Sequence, residues 1–247
     1  GELLANNLPS FNLTITPERV GDLEQTLDHL GSTLKLTYED ITGFRGRVGR
    51  RQRPFEPVPL LFKLTQEEIA KFSVDRHALP GVEVEAKLVR HYPRGELMVH
   101  AVGSVRRINE SDARRLDVVA YSGTDHVGKI GVEKFYEDDL LGNVGYQQVE
   151  IDARGKIMKV LESNLPSRGK DLTLHVDSSL QAAASAALGD RRGTVVAIEP
   201  TTGGILALVS KPGYDPNLFV TGIDHKTYAA LRDSKDVPLF NRAVQGQ

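Results

Sequence analysis

Gly193-Thr-Val-Val-Ala-Ile-Glu-Pro-Thr-Thr-Gly-Gly-Ile-Leu-Ala-Leu-Val-Ser-Lys-Pro-Gly-Tyr-Asp-Pro-Asn217 decides the fold of this chain. Thr194–Ile198 and Ile205–Ser210 are apolar, β-branched runs, and Pro200–Gly204 between them has the residues of a tight reversal, so the stretch predicts a β-hairpin. Neither run alternates apolar with polar residues, which predicts that both faces are covered and that the pair lies inside a sheet sandwiched by helices. Such a hairpin opens a larger domain. Only thirty residues follow Asn217, too few for the remaining strands and helices, so the domain is expected to be cut off.

Outward from the hairpin, the bulk properties are those of a folded protein. The 247 residues allow one large or two modest domains, with 40% apolar and 26% charged residues. A formal net charge of −2 argues against a general nucleic-acid binder, whose electrostatic footprint needs a basic excess. Without cysteine there is no disulfide framework and no thiolate metal site. No apolar run approaches bilayer-spanning length, and the first residues lack a basic-then-apolar signal pattern.

The wording of the hairpin resembles the opening strands of the transpeptidase domain in high-molecular-weight penicillin-binding proteins. Asn217-Leu-Phe-Val-Thr-Gly-Ile223 and Pro238-Leu-Phe-Asn-Arg-Ala-Val-Gln-Gly246 are similar to the class B members that act as elongation transpeptidases in rod-shaped Gram-negative bacteria. Gly1-Glu-Leu-Leu-Ala5 looks like the tail of a family segment that follows an N-terminal membrane anchor. Pro80-Gly-Val-Glu-Val84, Arg90-His-Tyr-Pro93 and His100-Ala-Val-Gly103 resemble the head of the family's non-catalytic pedestal, although Ser104 stands where a tyrosine is usual. Gly128, Gly131, Glu133, Tyr136, Glu137, Leu140, Gly142 and Gly145 reproduce a pedestal signature. The resemblance implies an α+β chain: an elongated pedestal of anchor and head subdomains with a strand-rich linker, then the truncated start of a transpeptidase α/β sandwich. The division is 1–168 for the pedestal, with the head about 40–125, and 169–247 for the transpeptidase fragment.

Local patterns supply the elements. Phe11–Thr16 alternates at period two, as a half-buried strand does. Pro17 opens a helix carrying Val20, Leu23, Leu27 and Leu30, with Gly31 as its stop. A second helix over Glu39–Val48 runs into Arg45–Arg53, where five arginines form either a solvated helix end or a patch for anionic headgroups or an acidic partner. Pro54, Pro57 and Pro59 make Phe55–Leu64 an edge or irregular extended segment. Thr65-Gln-Glu-Glu68 is a capping box opening a helix over Gln66–Val74, and Val82–Val89 alternates into a strand. Asn109 caps a short helix through Leu116, and Gly128–Gly142 reads as a longer helix closed by its glycine. Tyr146–Asp152, Lys156–Glu162 and Asp171–Val176 read as strands, with turns at Ala153–Gly155 and around Pro166–Gly169. Asp177 caps the alanine-rich helix Ser178–Leu188, and Asp224 a last helix over His225–Arg232.

The chemistry of the family needs Ser-x-x-Lys on a helix, so that the lysine can take the serine proton, with Ser-x-Asn and Lys-Thr-Gly completing the site. Ser167-Arg-Gly-Lys170 matches by letters only, since it follows Pro166, contains a glycine and falls in a turn. Ser10-Phe-Asn12 lies in the first strand, and Lys211-Pro-Gly213 puts proline where a backbone donor is needed. No catalytic residue is therefore assigned, and the nucleophile is expected beyond Gln247. His91 and His100 lack a third ligand at metal spacing and read as structural; no metal or cofactor is expected.

Two functions follow. In the first, the parent is a D,D-transpeptidase that crosslinks peptidoglycan stem peptides and is inhibited by β-lactams, held on the periplasmic face of the inner membrane by its anchor. The resemblance implies a RodA-type SEDS glycosyltransferase and the scaffold MreC as partners. In the second, the polypeptide is an autonomous docking module without chemistry. Phe55, Val58, Leu60 and Phe62 are the candidate partner-binding residues, because prolines leave their backbone extended and their side chains are apolar; packing within the head is the alternative.

Overall fold

The computed structural model describes residues 1–51, 55–151, 157–220 and 222–246, which fall into two compact units, one of Asn7–Val89 and one of Gly1–Asn6 with Arg90–Gln247. The first unit is a three-stranded sheet with helices. Strands β1 (Asn6–Ile15), β2 (Val58–Leu61) and β3 (Val82–His91) take the order β2-β1-β3, and β2 runs antiparallel to β1 with Leu13 opposite Leu61 and Ile15 opposite Val58. The prolines around β2 fit this edge position, where a missing donor leaves no ladder gap. β1, by contrast, is not half-buried as its alternation suggested. Its polar alternates are buried too, because each finds a partner: Thr14 donates to the Glu83 carbonyl at 3.2 Å, and the Asn12 side chain accepts from Lys63 N at 3.3 Å.

Helices α1 (Leu23–Leu34), α2 (Tyr38–Arg50) and α3 (Gln66–Asp75) complete this unit. Pro17 opens a single 3₁₀ turn, Pro17–Arg19, and α1 starts afresh from the cap Asp22, so the expected single helix is two pieces. Gly31 does not stop α1; Lys35 does, in the left-handed conformation at φ 56°. The glycine is tolerated because Leu27, Leu30 and Leu34 bury one face of the helix, and that burial outweighs the ~1 kcal/mol propensity cost. Capping boxes Thr37/Asp40 and Thr65/Glu68 open α2 and α3. Phe44, Phe72, Leu13, Ile15, Leu27 and Leu30 form the centre of one continuous apolar core.

The second unit is assembled from antiparallel pairs: β4 (Ser104–Arg107) with β5 (His126–Ile130), β6 (Tyr146–Ile151) with β7 (Ile157–Asn164), and β8 (Gly193–Ile198) with β9 (Ile205–Lys211). Its helices are α4 (Val99–Val102), α5 (Glu110–Ala113), α6 (Gly131–Phe135), α7 (Glu137–Leu141), α8 (Ser178–Leu188), α9 (Asn217–Val220), α10 (His225–Arg232) and α11 (Arg242–Gln245). The helix expected over Gly128–Gly142 is a strand end followed by two short helices. Gly128–Ile130 are drawn into the ladder with β4, Gly131 turns the chain at φ 65°, and Tyr136 separates α6 from α7. Gly103 packs against the Ile130 carbonyl and Gly131, where a Cβ would overlap them. Asp171–Val176 is not a strand: Leu172, Leu174 and Val176 alternate inward along a cavity, but among the described residues no strand forms a ladder with them. The predicted turn Ala153–Gly155, like Gln52–Pro54 of the arginine run, lies outside the described residues.

The hairpin β8–β9 forms as expected, with Val195 opposite Val209 and Ala197 opposite Ala207. Its two faces are covered unequally. Val195, Ala197, Ala207 and Val209 turn inward, while on the other face Val196 and Ile198 are exposed and Leu208 and Ser210 are covered, Ser210 Oγ accepting from Arg242 N at 3.0 Å. The absence of alternation in sequence thus translated into one buried face and one covered in part. The outer edge of β9 is sealed by α8. Gln181, itself 1% exposed, donates to the Leu208 carbonyl at 2.8 Å and accepts from Leu208 N at 2.8 Å, reproducing a neighbouring strand with a side-chain amide. The same amide donates to the Leu97 carbonyl at 2.9 Å, and Asp177 N donates to the Leu206 carbonyl at 2.9 Å.

Candidate functional site

Ser167 and Lys170 each have a partner of their own. Ser167 forms a two-residue antiparallel bridge with Asn143, whose side-chain amide donates to Ser167 Oγ at 3.0 Å. Lys170 Nζ sits 2.6 Å from Asp139 Oδ1. That carboxylate holds the Lys170 pKa above its ordinary value, the wrong direction for a base that must take a serine proton at neutral pH. Lys211 Nζ is likewise engaged, donating to the Gly189 carbonyl at 2.8 Å. His100 is buried edge-on against Tyr214 with ring centroids 5.8 Å apart, and burial lowers its pKa; its carbonyl accepts from the Asn241 amide at 3.0 Å. His91 is half-buried at the end of β3.

The four candidate partner residues divide. Val58 and Leu60 point into the apolar core at 5% and 1% exposure, whereas Phe55 and Phe62 are 49% and 37% exposed. Val58 and Leu60 share the inward face of β2 (Val58–Leu61), whereas Phe55 and Phe62 lie beyond its two ends, Phe55 in a turn at φ 63° and Phe62 in a bend, where the strand no longer directs their side chains to the core. Arg45 and Arg47 of α2 and Arg51 at its C-terminal cap each have partners. Arg45 pairs with Glu24 at 2.6 Å, Arg47 donates to the Pro59 and Leu60 carbonyls and lies over the Phe62 ring, and Arg51 pairs with Glu18. Glu18 is held below the usual carboxylate range by that guanidinium.

Within the second unit, a cavity of about 470 Å³ is walled by Gly1–Ala5, Leu140 and Lys170–Leu174, with the pair Arg90–Glu133 at its base. Glu133 is 3% exposed and accepts from Arg90 Nε at 2.7 Å. Tyr92 lies beside them, its hydroxyl accepting from Val105 N at 2.8 Å, and burial pushes its pKa strongly upward. Neutral Tyr92 and paired Arg90–Glu133 are structural polar groups in a low-dielectric setting, each with the partner such burial requires.

The same unit holds α9 in a dedicated seat. The Asn217 side chain accepts from Tyr92 N at 2.9 Å and donates to the Tyr92 carbonyl at 3.1 Å. Phe219 meets Tyr214 edge-on at 5.4 Å and Tyr228 at 6.4 Å, with the Arg106 guanidinium 4.1 Å above its ring. The Val220 carbonyl and His126 Nε2 are 2.6 Å apart. Sequence reasoning missed Tyr92, His126 and Gln181. The Asp-Pro-Asn217 turn marks Asn217 as a polar anchor, but nothing local identifies a partner 125 positions away.

Residues 1–174 match the family model of the penicillin-binding protein dimerisation domain, and residues 193–247 that of the penicillin-binding protein transpeptidase domain. The chain is 48% identical to the peptidoglycan D,D-transpeptidase MrdA of Acinetobacter baumannii over 100% of its own length and 36% of that protein's. It is 42% identical to MrdA of Escherichia coli K12 over 98% of the chain and 39% of the relative. It thus spans little more than a third of the length of these curated relatives. Among solved structures, Pseudomonas aeruginosa PBP2 in complex with WCK 5153 is 52% identical, with a TM-score of 0.57 over 65% of this chain and 32% of that one. The complex between PBP2 and MreC from Helicobacter pylori has a TM-score of 0.80 at 24% identity, covering 98% of this chain and 45% of that one, a likeness of fold.

Proposed function

Because this chain belongs to the penicillin-binding proteins, matching their dimerisation domain over residues 1–174, we propose that it is the pedestal and opening strands of an elongation-type peptidoglycan D,D-transpeptidase, and that these 247 residues do no chemistry themselves. In this reading residues 1–168 are the pedestal and 169–247 belong to the catalytic domain. The whole protein acylates a serine at D-Ala-D-Ala, transfers the stem peptide to an amine and is a target of β-lactams. It works at the periplasmic face of the inner membrane beside a RodA-type glycosyltransferase. Among the described residues no helix is long and apolar enough to cross a membrane.

The observation that carries the non-catalytic part is the state of Lys170. Acylation needs an unprotonated base within reach of a serine and preorganised donors for the oxyanion. Asp139 instead keeps Lys170 protonated, and Ser167 is occupied in the Asn143 bridge. A fluorescent penicillin should therefore leave the 247-residue chain unlabelled and label the full-length parent. Stoichiometric labelling of the chain, abolished by Ser167→Ala, would overturn the reading.

MreC is proposed as a partner through the first unit, a reading supported by the fold shared with the Helicobacter pylori protein of the MreC complex. Phe55 and Phe62 carry this proposal, since Val58 and Leu60 are core residues whose replacement by charge would test folding instead. Phe55→Glu combined with Phe62→Glu should weaken MreC binding at least tenfold with the unfolding midpoint unchanged. Unchanged affinity removes this edge as the docking surface.

A further inference from the structure

We propose that His126 is a pH-operated latch that fastens α9 to the end of β5 while its ring carries both protons. Nε2 lies 2.6 Å from the Val220 carbonyl oxygen, and Nδ1 lies 2.7 Å from Asp125 Oδ1. A carbonyl and an ionised carboxylate can only accept. A neutral imidazole has one N–H and can satisfy one of them; only the imidazolium can satisfy both neighbours at once.

The surroundings favour that form without guaranteeing it. Asp125 is the main cause raising the His126 pKa above its ordinary value; burial opposes it, as does Arg107, the residue opposite His126 in the β4–β5 ladder. From β4, Arg106 also faces α9, over the Phe219 ring. The α9 segment Asn217-Leu-Phe-Val220 brings no titratable side chain of its own. The charged groups around the latch are therefore Asp125, Arg106 and Arg107, with Asp215 at the other end of α9, where its carboxylate accepts from Asn217 N at 2.9 Å and Nδ2 at 2.8 Å. The rest of the seat, the Asn217–Tyr92 amide pair and the buried Phe219 and Val220, is indifferent to pH between 5 and 9.

The sign follows from the raised pKa. A histidine whose folded-state pKa lies above its unfolded value of about 6.5 contributes stability fully present below that value and lost as pH rises through the folded pKa. Deprotonation leaves one proton for two acceptors, and Asp125, adjacent in sequence, competes with Val220 for it. α9 is thus tightest at mildly acidic pH.

In the 247-residue chain, a ¹⁵N-detected titration should show His126 protonated at both nitrogens at pH 5.5, with a pKa above 6.5. Hydrogen-exchange protection factors in α9, already normalised for intrinsic rate, should fall between pH 5.5 and 8.5 by up to about tenfold for each unit of that elevation. His126→Gln, which keeps a neutral donor for Val220, should abolish the pH dependence, and Asp125→Asn should flatten it. A His126 that titrates at or below 6.5, or α9 protection independent of pH in the unmodified chain, overturns the proposal.

Discussion

The unit Asn7–Val89 and the unit built around Arg90–Gln247 are stabilised in different ways. The first has one uninterrupted apolar core in which Phe44, Phe72, Leu13, Ile15, Leu27 and Leu30 are essentially removed from water. The second, nearly twice as long, has smaller apolar clusters such as Val99, Tyr214 and Phe219, and relies on buried polar side chains that grip backbone far away in sequence. A core of aliphatic and aromatic side chains is non-directional and forgiving of exchange. Polar clasps are directional, so each fixes a register but fails outright when its partner is lost.

The largest effect should come from the apolar unit. Phe72→Ala removes a fully buried ring and is expected to cost about 3–5 kcal/mol, read from urea unfolding of the 247-residue chain. A loss smaller than that of any polar change in the second unit would break the comparison. Gly103→Ala comes next, at about 2–4 kcal/mol, because a Cβ there meets the Ile130 carbonyl while the backbone sits at φ 88°. It should leave hydrogen exchange within Asn7–Val89 unchanged, and a loss shared by both units would mean they unfold as one.

Gln181→Ala tests the clasp idea most directly. It strands the Leu208 donor and acceptor and the Leu97 carbonyl, at an expected cost of about 1–3 kcal/mol, with exchange at Leu208 N rising first. Gln181→Leu should be no better, since shape is not what the residue supplies. The smallest effect separates two acid-sensitive pairs, Asp112 with Lys129 in the second unit and Glu18 with Arg51 in the first. Both carboxyl pKa values are lowered chiefly by these hydrogen-bonded partners. Each pair therefore contributes stability that is present above about pH 4 and lost as pH falls through the depressed value. The advantage of the unmodified chain over Asp112→Asn should narrow between pH 6 and pH 3; an advantage independent of pH would show that the pair contributes nothing electrostatic.

Much of this architecture can be read without coordinates. The capping box at Thr65 with its helix, the Asp224 and Asp177 caps, the edge character of the proline-flanked strand and the Gly193–Asn217 hairpin all rest on interactions within a few residues, which local sequence carries in full. That Ser167–Lys170 is not helical was legible for the same reason, since Pro166 and Gly169 both favour a turn there.

What tertiary structure alone decided depends on partners distant in sequence. Gly128–Ile130 became strand because β4 lay ready to pair with it, whereas Asp171–Val176 meets β9 only at its end, through Asp177 N and the Leu206 carbonyl, and forms no ladder among the described residues. Val58 and Leu60 were separated from Phe55 and Phe62 by where β2 begins and ends against the core, since both phenylalanines lie outside Val58–Leu61. The clasps Tyr92–Asn217, Gln181–Leu208 and His126–Val220 join residues 125, 27 and 94 positions apart. A side chain's type states what it can bond to; only the folded chain brings that partner within 3 Å, because hydrogen bonds act at contact range while sequence records no distance.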